Sequence, residues 1–149
     1  MRRLSQPRLH VGALLVAVAV LGVVLGASTA WPRSGGSNGR LVYMTVEDFK
    51  INAPASIRPG RLRLQLHNLG PDSHELLIAP LRAARLPLRR DGLTVDEDAL
   101  EPLHPVEIEA VEEGDTEETD VDLRRGRYVL FCNMAGHYLG GMHRTLVVR

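Results

Sequence analysis

The sequence of 149 residues contains only one cysteine, Cys132, and few aromatic side chains, which make up 4% of it. A single cysteine excludes a disulfide bond within the chain. Because aromatic residues are scarce, any core must consist mainly of leucine, valine, isoleucine and alanine. Hydrophobic residues account for 44% of the chain, which is enough for one packed domain plus a terminal segment.

The sequence also lacks an excess of positive charge. Its 18 basic and 18 acidic residues give a formal net charge of zero. Residues 1–30 contain three arginines and no acidic residue, which leaves 15 basic against 18 acidic residues, a net charge of −3, in the rest of the chain. A weakly acidic domain is not attracted to phosphate backbones, and we therefore exclude nucleic acid as a partner.

Residues 1–30 have the pattern of an export segment. Three arginines form a positive region, residues 11–27 are an unbroken run of apolar residues and glycines, and Ser28 and Ala30 have small side chains. This order is typical of a signal peptide, and the run is also just long enough for a membrane anchor. In both cases the rest of the chain is predicted to be extracytoplasmic, in the periplasm or at the outer face of the cell membrane.

Residues 31–40 are rich in glycine and serine and predict a flexible linker, so that the folded domain should begin at Leu41. Export makes the single thiol informative. An unpaired Cys132 in an oxidising compartment is open to oxidation unless burial or a bound group protects it. A bound metal ion explains this cysteine most simply.

Short strand-like segments, separated by glycine and proline turns, recur through residues 41–149. In residues 61–68, for example, leucines alternate with polar residues, as in a strand with one buried face. The pattern predicts an all-β fold, an antiparallel β-sandwich. Six strand regions are predicted: Leu41 to Ile51, Arg61 to Asn68, His74 to Ala79, Thr119 to Leu123, Tyr128 to Cys132 and Thr145 to Val148.

Residues 80–118 interrupt this pattern as a charged insertion. Four arginines come first, and residues 96–122 then contain thirteen acidic residues and no lysine or arginine. A capping-box sequence predicts a short helix near Asp98 to Glu101, and a further strand is predicted at Val106 to Ala110. The insertion is either a solvated surface, as most charge runs are, or a docking surface for a basic partner.

The strand at Tyr128 to Cys132 has apolar residues on both of its faces. A strand with one wet face should instead alternate between apolar and polar residues. We therefore expect part of Leu81 to Leu103 to cover the outer face of the sheet beneath Phe131.

Cys132, His137 and Met142 follow one another with the spacing Cys-x4-His-x4-Met, on a glycine-containing loop that leaves a strand. Two histidines, one cysteine and a weak axial methionine are typical of trigonal electron-transfer copper sites. The second histidine must come from elsewhere, and His74 is the best candidate because it begins a strand directly after a turn. The sequence thus predicts one copper ion bound by His74, Cys132, His137 and Met142.

The other histidines and methionines of the domain are weaker candidates. His67 lies on the polar face of its strand, and His143 should point away from the loop by strand alternation. His104 is expected at the surface. Met134 is too close to Cys132 in sequence for axial geometry.

These motifs resemble the cupredoxins, the family of blue copper proteins. The matching residues are Asn68-x-Gly70-x3-His74, Gly126-x-Tyr128-x3-Cys132 and the ligand loop, whose spacing is most similar to the rusticyanin, auracyanin and sulfocyanin type. The resemblance covers residues 41–149 apart from the insertion. It implies an eight-stranded Greek-key β-sandwich with copper under one end.

The resemblance also implies a role for each ligand. His74, Cys132 and His137 would be equatorial and Met142 axial, while the Tyr128 hydroxyl would bond to nearby backbone. Glu75 departs from the family pattern, because many members have asparagine after the first histidine. This departure puts the bracing of the ligand loop in doubt.

We expect this site to carry electrons between Cu(I) and Cu(II) rather than to catalyse a reaction, because four protein ligands leave no open position for a substrate. The expected partners are redox proteins of a membrane electron-transfer chain, and the protein should be a monomer that can associate with the membrane through residues 11–27. Weak redox encounters use small interfaces. The predicted docking patch around His137 consists of Ala135, Gly136, Tyr138 and Leu139.

Two other functions remain open. A copper storage or delivery protein would need exposed, exchangeable ligands, often in tracts rich in methionine or histidine. The chain has four methionines and six histidines, and they form no such tract. A thiol enzyme using Cys132 and His137 would need an exposed thiolate and a third, orienting group, and the sequence has no such signature.

Overall fold

The computed structural model describes residues 39–149. The predicted export segment, residues 1–30, lies outside the described residues, as does most of the predicted linker at residues 31–40. Among the residues that are described, no helix is both long enough and apolar enough to cross a membrane.

Nine β-strands and one 3₁₀ helix form the regular structure of residues 39–149. The prediction of an all-β fold is therefore confirmed. The 3₁₀ helix is Glu101–Leu103. The strands are β1 (Arg40–Glu47), β2 (Lys50–Asn52), β3 (Ser56–Ile57), β4 (Gly60–Asn68), β5 (His74–Pro80), β6 (Val106–Val111), β7 (Thr116–Leu123), β8 (Gly126–Phe131) and β9 (His143–Val148).

The strands form two sheets, with the orders β2-β1-β4-β7 and β3-β9-β8-β5-β6. Both sheets are mixed, because β1 runs parallel to β4 and β3 runs parallel to β9. The predicted β-sandwich is confirmed, but the expectation of a purely antiparallel one is wrong. The parallel pairs arise because the chain leaves the first sheet after β2, adds β3 to the second sheet, and returns to the first as β4.

The region Leu41 to Ile51, predicted as one strand region, is a hairpin of β1 and β2. Phe49 in the turn has a left-handed backbone, with φ of 60°, which is uncommon for a bulky residue. This extra turn divides the predicted region into two strands, and the described residues contain nine strands where eight were expected. It also brings Asp48 and Phe49 to the end of the sandwich where β5 begins.

The inner faces of the two sheets enclose one continuous core, here called the inner cluster. In β4 the leucines at alternate positions are fully buried, as predicted. Arg63 lies between them on the outer face, where it pairs with Glu118 and Asp120 on β7. The first sheet therefore has one apolar face and one wet face.

A second group of apolar side chains, here called the outer cluster, covers the outer face of β5 and β8 in the five-stranded sheet. In it, the insertion packs against Phe131, which is fully buried. The prediction that part of Leu81 to Leu103 covers this face is confirmed. The cluster consists of Leu77, Ala79, Leu86, Val95, Leu100, Val129 and Phe131, with Leu81, Leu103 and Tyr138 at its edge.

The helix predicted near Asp98 to Glu101 is wrong in type and position. The chain makes one turn of 3₁₀ helix at Glu101–Leu103 instead, without a side-chain N-cap. Pro102 lies in its first turn, and the left-handed His104, with φ of 50°, ends it. The further strand predicted at Val106 to Ala110 is confirmed as β6, at the edge of the five-stranded sheet.

Candidate metal centre

Two strands and one loop bring three of the predicted ligands together. His74 is the first residue of β5, and Cys132 follows directly after β8. Because β5 and β8 are antiparallel neighbours, the start of one lies beside the end of the other. The loop from β8 to β9, residues 132–142, then folds back over this end and contains His137.

The three donor atoms form a tight group. Cys132 Sγ lies 3.5 Å from His137 Nδ1 and 4.0 Å from His74 Nδ1. All three atoms lie within 4.8 Å of one another, and no other such group occurs in the part of the chain that the structure describes. Cys132 and His74 are completely buried, whereas His137 is partly exposed. Two of the donor residues are thus sealed from solvent, and His137 is the one donor residue with some exposed surface.

These separations suit a single metal ion. With metal–sulfur and metal–nitrogen bonds of about 2.3 and 2.1 Å, a trigonal arrangement separates sulfur from nitrogen by about 3.8 Å. The two observed Sγ–Nδ1 distances lie on either side of this value. One thiolate and two imidazoles are donors that favour copper or zinc over magnesium or calcium.

Met142 lies beside this group in the last part of the loop. Its backbone N–H donates to the His137 carbonyl at 2.9 Å, and its carbonyl accepts from the Cys132 N–H at 3.1 Å. Its side chain is fully buried in the inner cluster. The contacts tie Met142 to both loop ligands through the backbone, and its role as the axial donor remains a prediction.

Asp48 contacts the far side of the His74 ring. Its Oδ1 lies 3.2 Å from His74 Nε2, which leaves Nδ1 facing the thiol. Burial, and then the nearby His137, lower the pKa of His74, while Asp48 acts in the opposite direction. A neutral ring that donates from Nε2 presents an Nδ1 lone pair, which is the form that binds a metal.

Asp48 was missed by the sequence analysis, because it belongs to a turn that was predicted as continuous strand. The nearest signal is Gly70 in the turn before His74. A Cβ atom at Gly70 would lie 2.9 Å from Asp48 Oδ1 and 3.0 Å from the Asp48 backbone nitrogen. Glycine at this position therefore allows the two turns to approach each other.

The Cys132 thiol is poorly suited to attack a substrate. Burial raises its pKa, although the backbone N–H groups of Met134 and Glu75 act in the opposite direction. A reactive cysteine needs an exposed and stabilised thiolate. The geometry thus weighs against the thiol enzyme and agrees with a thiolate that forms when a metal binds.

Glu75 contacts the start of the ligand loop through both its backbone and its side chain. Its backbone N–H interacts with Cys132, and its carboxylate interacts with the backbone N–H of Asn133. Burial raises the pKa of Glu75, and the neighbouring Glu97 and Glu107 raise it further. Residue 75 therefore lies in contact with the start of the ligand loop.

The weaker candidates lie outside the donor group. His67 Nδ1 contacts Thr116 and the Asp115 carbonyl on the first sheet. His104 and His143 are exposed. Met134 packs against the inner cluster.

The surface around His137 differs in part from the predicted patch. Tyr138 turns into the outer cluster, where its ring meets Phe131 edge-on and its hydroxyl accepts from the Leu86 N–H. Phe49 instead lies against His137, with ring centroids 5.3 Å apart. Its ring would collide with a side chain at Gly140, so that glycine there makes room for it.

Three apolar side chains that are about half exposed therefore lie in the loops at this end of the domain. They belong to three different loops, and Leu139 was the only one that the sequence analysis had placed near His137. They are Phe49, Leu69 and Leu139. The predicted docking patch is corrected at Tyr138, which turns into the outer cluster, while Phe49 lies against His137.

The Tyr128 hydroxyl donates to the Arg124 carbonyl at 3.0 Å. This bond spans the turn that leads into β8 and agrees with the role that the family resemblance implied for Tyr128. It anchors the start of the strand that ends at Cys132.

No known family model matches the chain, and no curated protein matches it. Solved structures do. A reduced auracyanin from Roseiflexus castenholzii is 16% identical with a TM-score of 0.53, covering 76% of this chain and 99% of that one. Auracyanin A, described as a blue copper protein from Chloroflexus aurantiacus, is 16% identical with a TM-score of 0.55, covering 75% of this chain and all of that one. The copper protein rusticyanin is 14% identical with a TM-score of 0.54, covering 74% and 79%.

At this level of identity the likeness establishes the fold. The chain has the β-sandwich fold of auracyanin and rusticyanin, which is the fold that the cupredoxin resemblance implied. The covered share of the auracyanins is nearly complete, so that the described domain corresponds to a whole domain of that type.

Proposed function

We propose that this protein binds one copper ion through His74, Cys132 and His137, with Met142 as the axial ligand, and works as an electron carrier. The observation that carries the proposal is the compact group of one thiol and two imidazole nitrogens under one end of this sandwich. The same fold is found in proteins described as blue copper proteins.

Copper in such a site would supply a reversible one-electron change between Cu(I) and Cu(II). The chain's contribution is to hold the donors still. His74 is fixed by burial and by Asp48, and Cys132 by the end of β8. A site held in this way needs little rearrangement when its charge changes, which favours rapid electron exchange.

The closed surroundings favour a carrier over a storage or delivery protein. Metal exchange needs ligands that an acceptor can reach, and two of the three donors have no exposed surface. Only His137 lies at the boundary with solvent. We therefore place the electron exit at the His137 ring, between the sulfur and the surface.

The apolar side chains of Phe49, Leu69 and Leu139 suit a brief encounter with another redox protein. A few half-exposed residues form a small contact, and small contacts are typical of weak redox complexes. We propose that the partners belong to a membrane electron-transfer chain. Residues 1–30 support an extracytoplasmic location, and the monomer remains our proposal for the oligomeric state.

The test is repeated oxidation and reduction of the copper-loaded protein in the presence of a Cu(I) chelator. A carrier keeps one copper per chain through many cycles and returns to the same spectrum. A delivery protein loses copper to the chelator in its reduced state. Loss of most of the copper within the first few cycles would contradict the carrier and support delivery.

A further inference from the structure

Asn133, which directly follows Cys132, connects the ligand loop to the insertion. Its side-chain oxygen accepts from the backbone N–H of Val95, and its amide nitrogen donates to the Val95 carbonyl at 3.1 Å and to the Glu97 carboxylate. The Asn133 side chain is almost fully buried, and Val95 has no exposed surface. One asparagine thus satisfies both polar groups of a buried backbone unit.

Two further bonds link the same two segments on either side of His137. The Gly136 N–H donates to the Leu93 carbonyl at 3.0 Å. The Leu86 N–H donates to the Tyr138 hydroxyl at 3.2 Å. The loop is therefore bonded to the insertion next to Cys132 and on both sides of His137.

The polar contacts lie over the outer cluster. Val95 and Leu100 of the insertion pack in the same cluster as Phe131, the residue that precedes Cys132. Phe131, Asn133 and Tyr138 therefore contact the insertion, whereas Cys132 and Met134 contact the inner cluster. Apart from the 3₁₀ turn and one isolated bridge between Leu88 and Val95, residues 81–103 have no regular structure of their own.

The position of Asn133 cannot be filled by an apolar residue at low cost. A buried backbone N–H or carbonyl that loses its partner destabilises the folded state, because it has already lost its water. Without Asn133, the Val95 groups would have to move toward solvent and draw the insertion off the loop.

From these contacts we infer that Asn133 is a positioning residue. By binding residues 81–103, here called the splint, it holds the ligand loop and so fixes the spacing of Cys132 and His137. The role at the metal rests on the proposed function. The splint itself is a property of the chain without metal. The two can therefore be tested separately.

The first experiment is timed trypsin digestion of the metal-free full-length protein, with fragments identified by mass. The insertion contains four arginines as reporters: Arg82, Arg85, Arg89 and Arg90. Asn133→Ala should increase cleavage at these sites on the order of tenfold. The local opening that exposes them then no longer has to break the hydrogen bonds of Asn133. Cleavage at Arg61 and Arg63 on β4 should be unchanged.

Two control variants separate the splint from a general loss of stability. Asn52→Ala removes an exposed amide that donates to Thr45, and it should change no cleavage rate. Leu64→Ala opens the inner cluster at the middle of β4 and should accelerate cleavage throughout the chain. If Asn133→Ala behaves like either control, the splint is refuted.

The second experiment measures the visible and electron paramagnetic resonance spectra of copper-loaded variants. Asn133→Ala should bind copper but shift the thiolate-to-copper band and broaden the copper signal, while Leu64→Ala should retain the wild-type spectrum when folded. Glu97→Gln should also retain it, because an amide oxygen still accepts from Asn133. An unchanged spectrum in Asn133→Ala would refute the positioning role. A wild-type protein without a blue spectrum would refute the proposed function and leave the digestion result to decide on the splint.

Discussion

The two sheets of the sandwich differ in how many of their faces are covered. The four-stranded sheet is buried on its inner face, and its outer face carries charged pairs such as Arg63 with Glu118. The five-stranded sheet is buried on its inner face, and the insertion also covers the outer face of its strands β5 and β8. These two doubly covered strands are the ones that reach the candidate metal centre, where β5 begins and β8 ends.

This difference indicates where the fold is most constrained. A strand packed on both sides can shift only if two clusters rearrange, whereas a strand with a wet face is held from one side. His74 and Cys132 are thus attached to the most restrained part of the described domain. We regard the insertion as the element that makes this difference.

The largest expected effect comes from opening the outer cluster with Phe131→Ala. Removing a fully buried phenylalanine costs about 3–5 kcal/mol of unfolding free energy. The matched change in the inner cluster, Leu66→Ala, should cost about 2–5 kcal/mol. Urea denaturation of both metal-free variants checks this, and a cost below about 1 kcal/mol for Phe131→Ala would mean that the insertion is not part of the core.

A polar substitution should distinguish the outer faces of the two sheets. Val129→Thr places a hydroxyl group in the outer cluster without adding a hydrogen-bond partner for it. This change should lower the free energy of unfolding by about 1–3 kcal/mol. Leu41→Thr, on the exposed outer face of β1, should remain within about 0.5 kcal/mol of the wild type. Thermal unfolding of the pair provides the measurement, and equal costs would remove the distinction between the two faces.

The charged pairs on the wet face should matter less. Arg63 lies 3.7 Å from a Glu118 oxygen and 3.6 Å from an Asp120 oxygen; both carboxylates are exposed, and Arg63 is partly exposed. Arg63→Ala should therefore cost no more than about 1 kcal/mol. Because salt screens exposed charges, the cost should shrink when unfolding is repeated at high ionic strength. A cost that is independent of salt would point to lost packing instead.

The smallest effect is expected from the acidic edge strand β6. Burial, followed by Glu97 and Glu109, raises the pKa of Glu107 above its ordinary value of 4.5. Its charged form therefore destabilises the folded state once the pH rises through this raised pKa. Glu107→Gln should stabilise the protein by about 0.3 kcal/mol at pH 7, a value reduced for its exposure, and by nothing below its ordinary pKa. A gain that persists at low pH would contradict the electrostatic explanation.

Much of the fold could be predicted from local patterns. Alternation in residues 61–68 indicated a half-buried strand, and the lack of alternation in Tyr128 to Cys132 indicated a second cover. Both are confirmed because strand periodicity directly reports which faces are buried. The helix near Asp98 to Glu101 was wrong because Pro102 and the left-handed His104 limit that segment to one 3₁₀ turn.

The candidate site was predictable as far as its residue types were informative. A lone exported thiol and the Cys-x4-His-x4-Met spacing directed attention to the loop, and the structure brings His74 to it. Asp48 and Phe49 could not be found in this way. Both lie in the turn between β1 and β2. This turn comes close to the start of β5 only through the packing of the two sheets, which no local sequence pattern reports. Asn133 was also not recognised, since its partner Val95 lies 38 residues away.

The most direct test of the copper centre is the visible spectrum of the protein loaded with one equivalent of Cu(II). We expect an intense thiolate-to-copper band in the red for the wild type, which bleaches with a reductant and returns on reoxidation. Cys132→Ser should lose the band, while Met134→Leu, which removes a nearby sulfur packed in the core, should keep it. A wild-type protein that takes up copper without this band, or a Cys132→Ser variant that retains it, would contradict the assignment of Cys132 as a copper ligand.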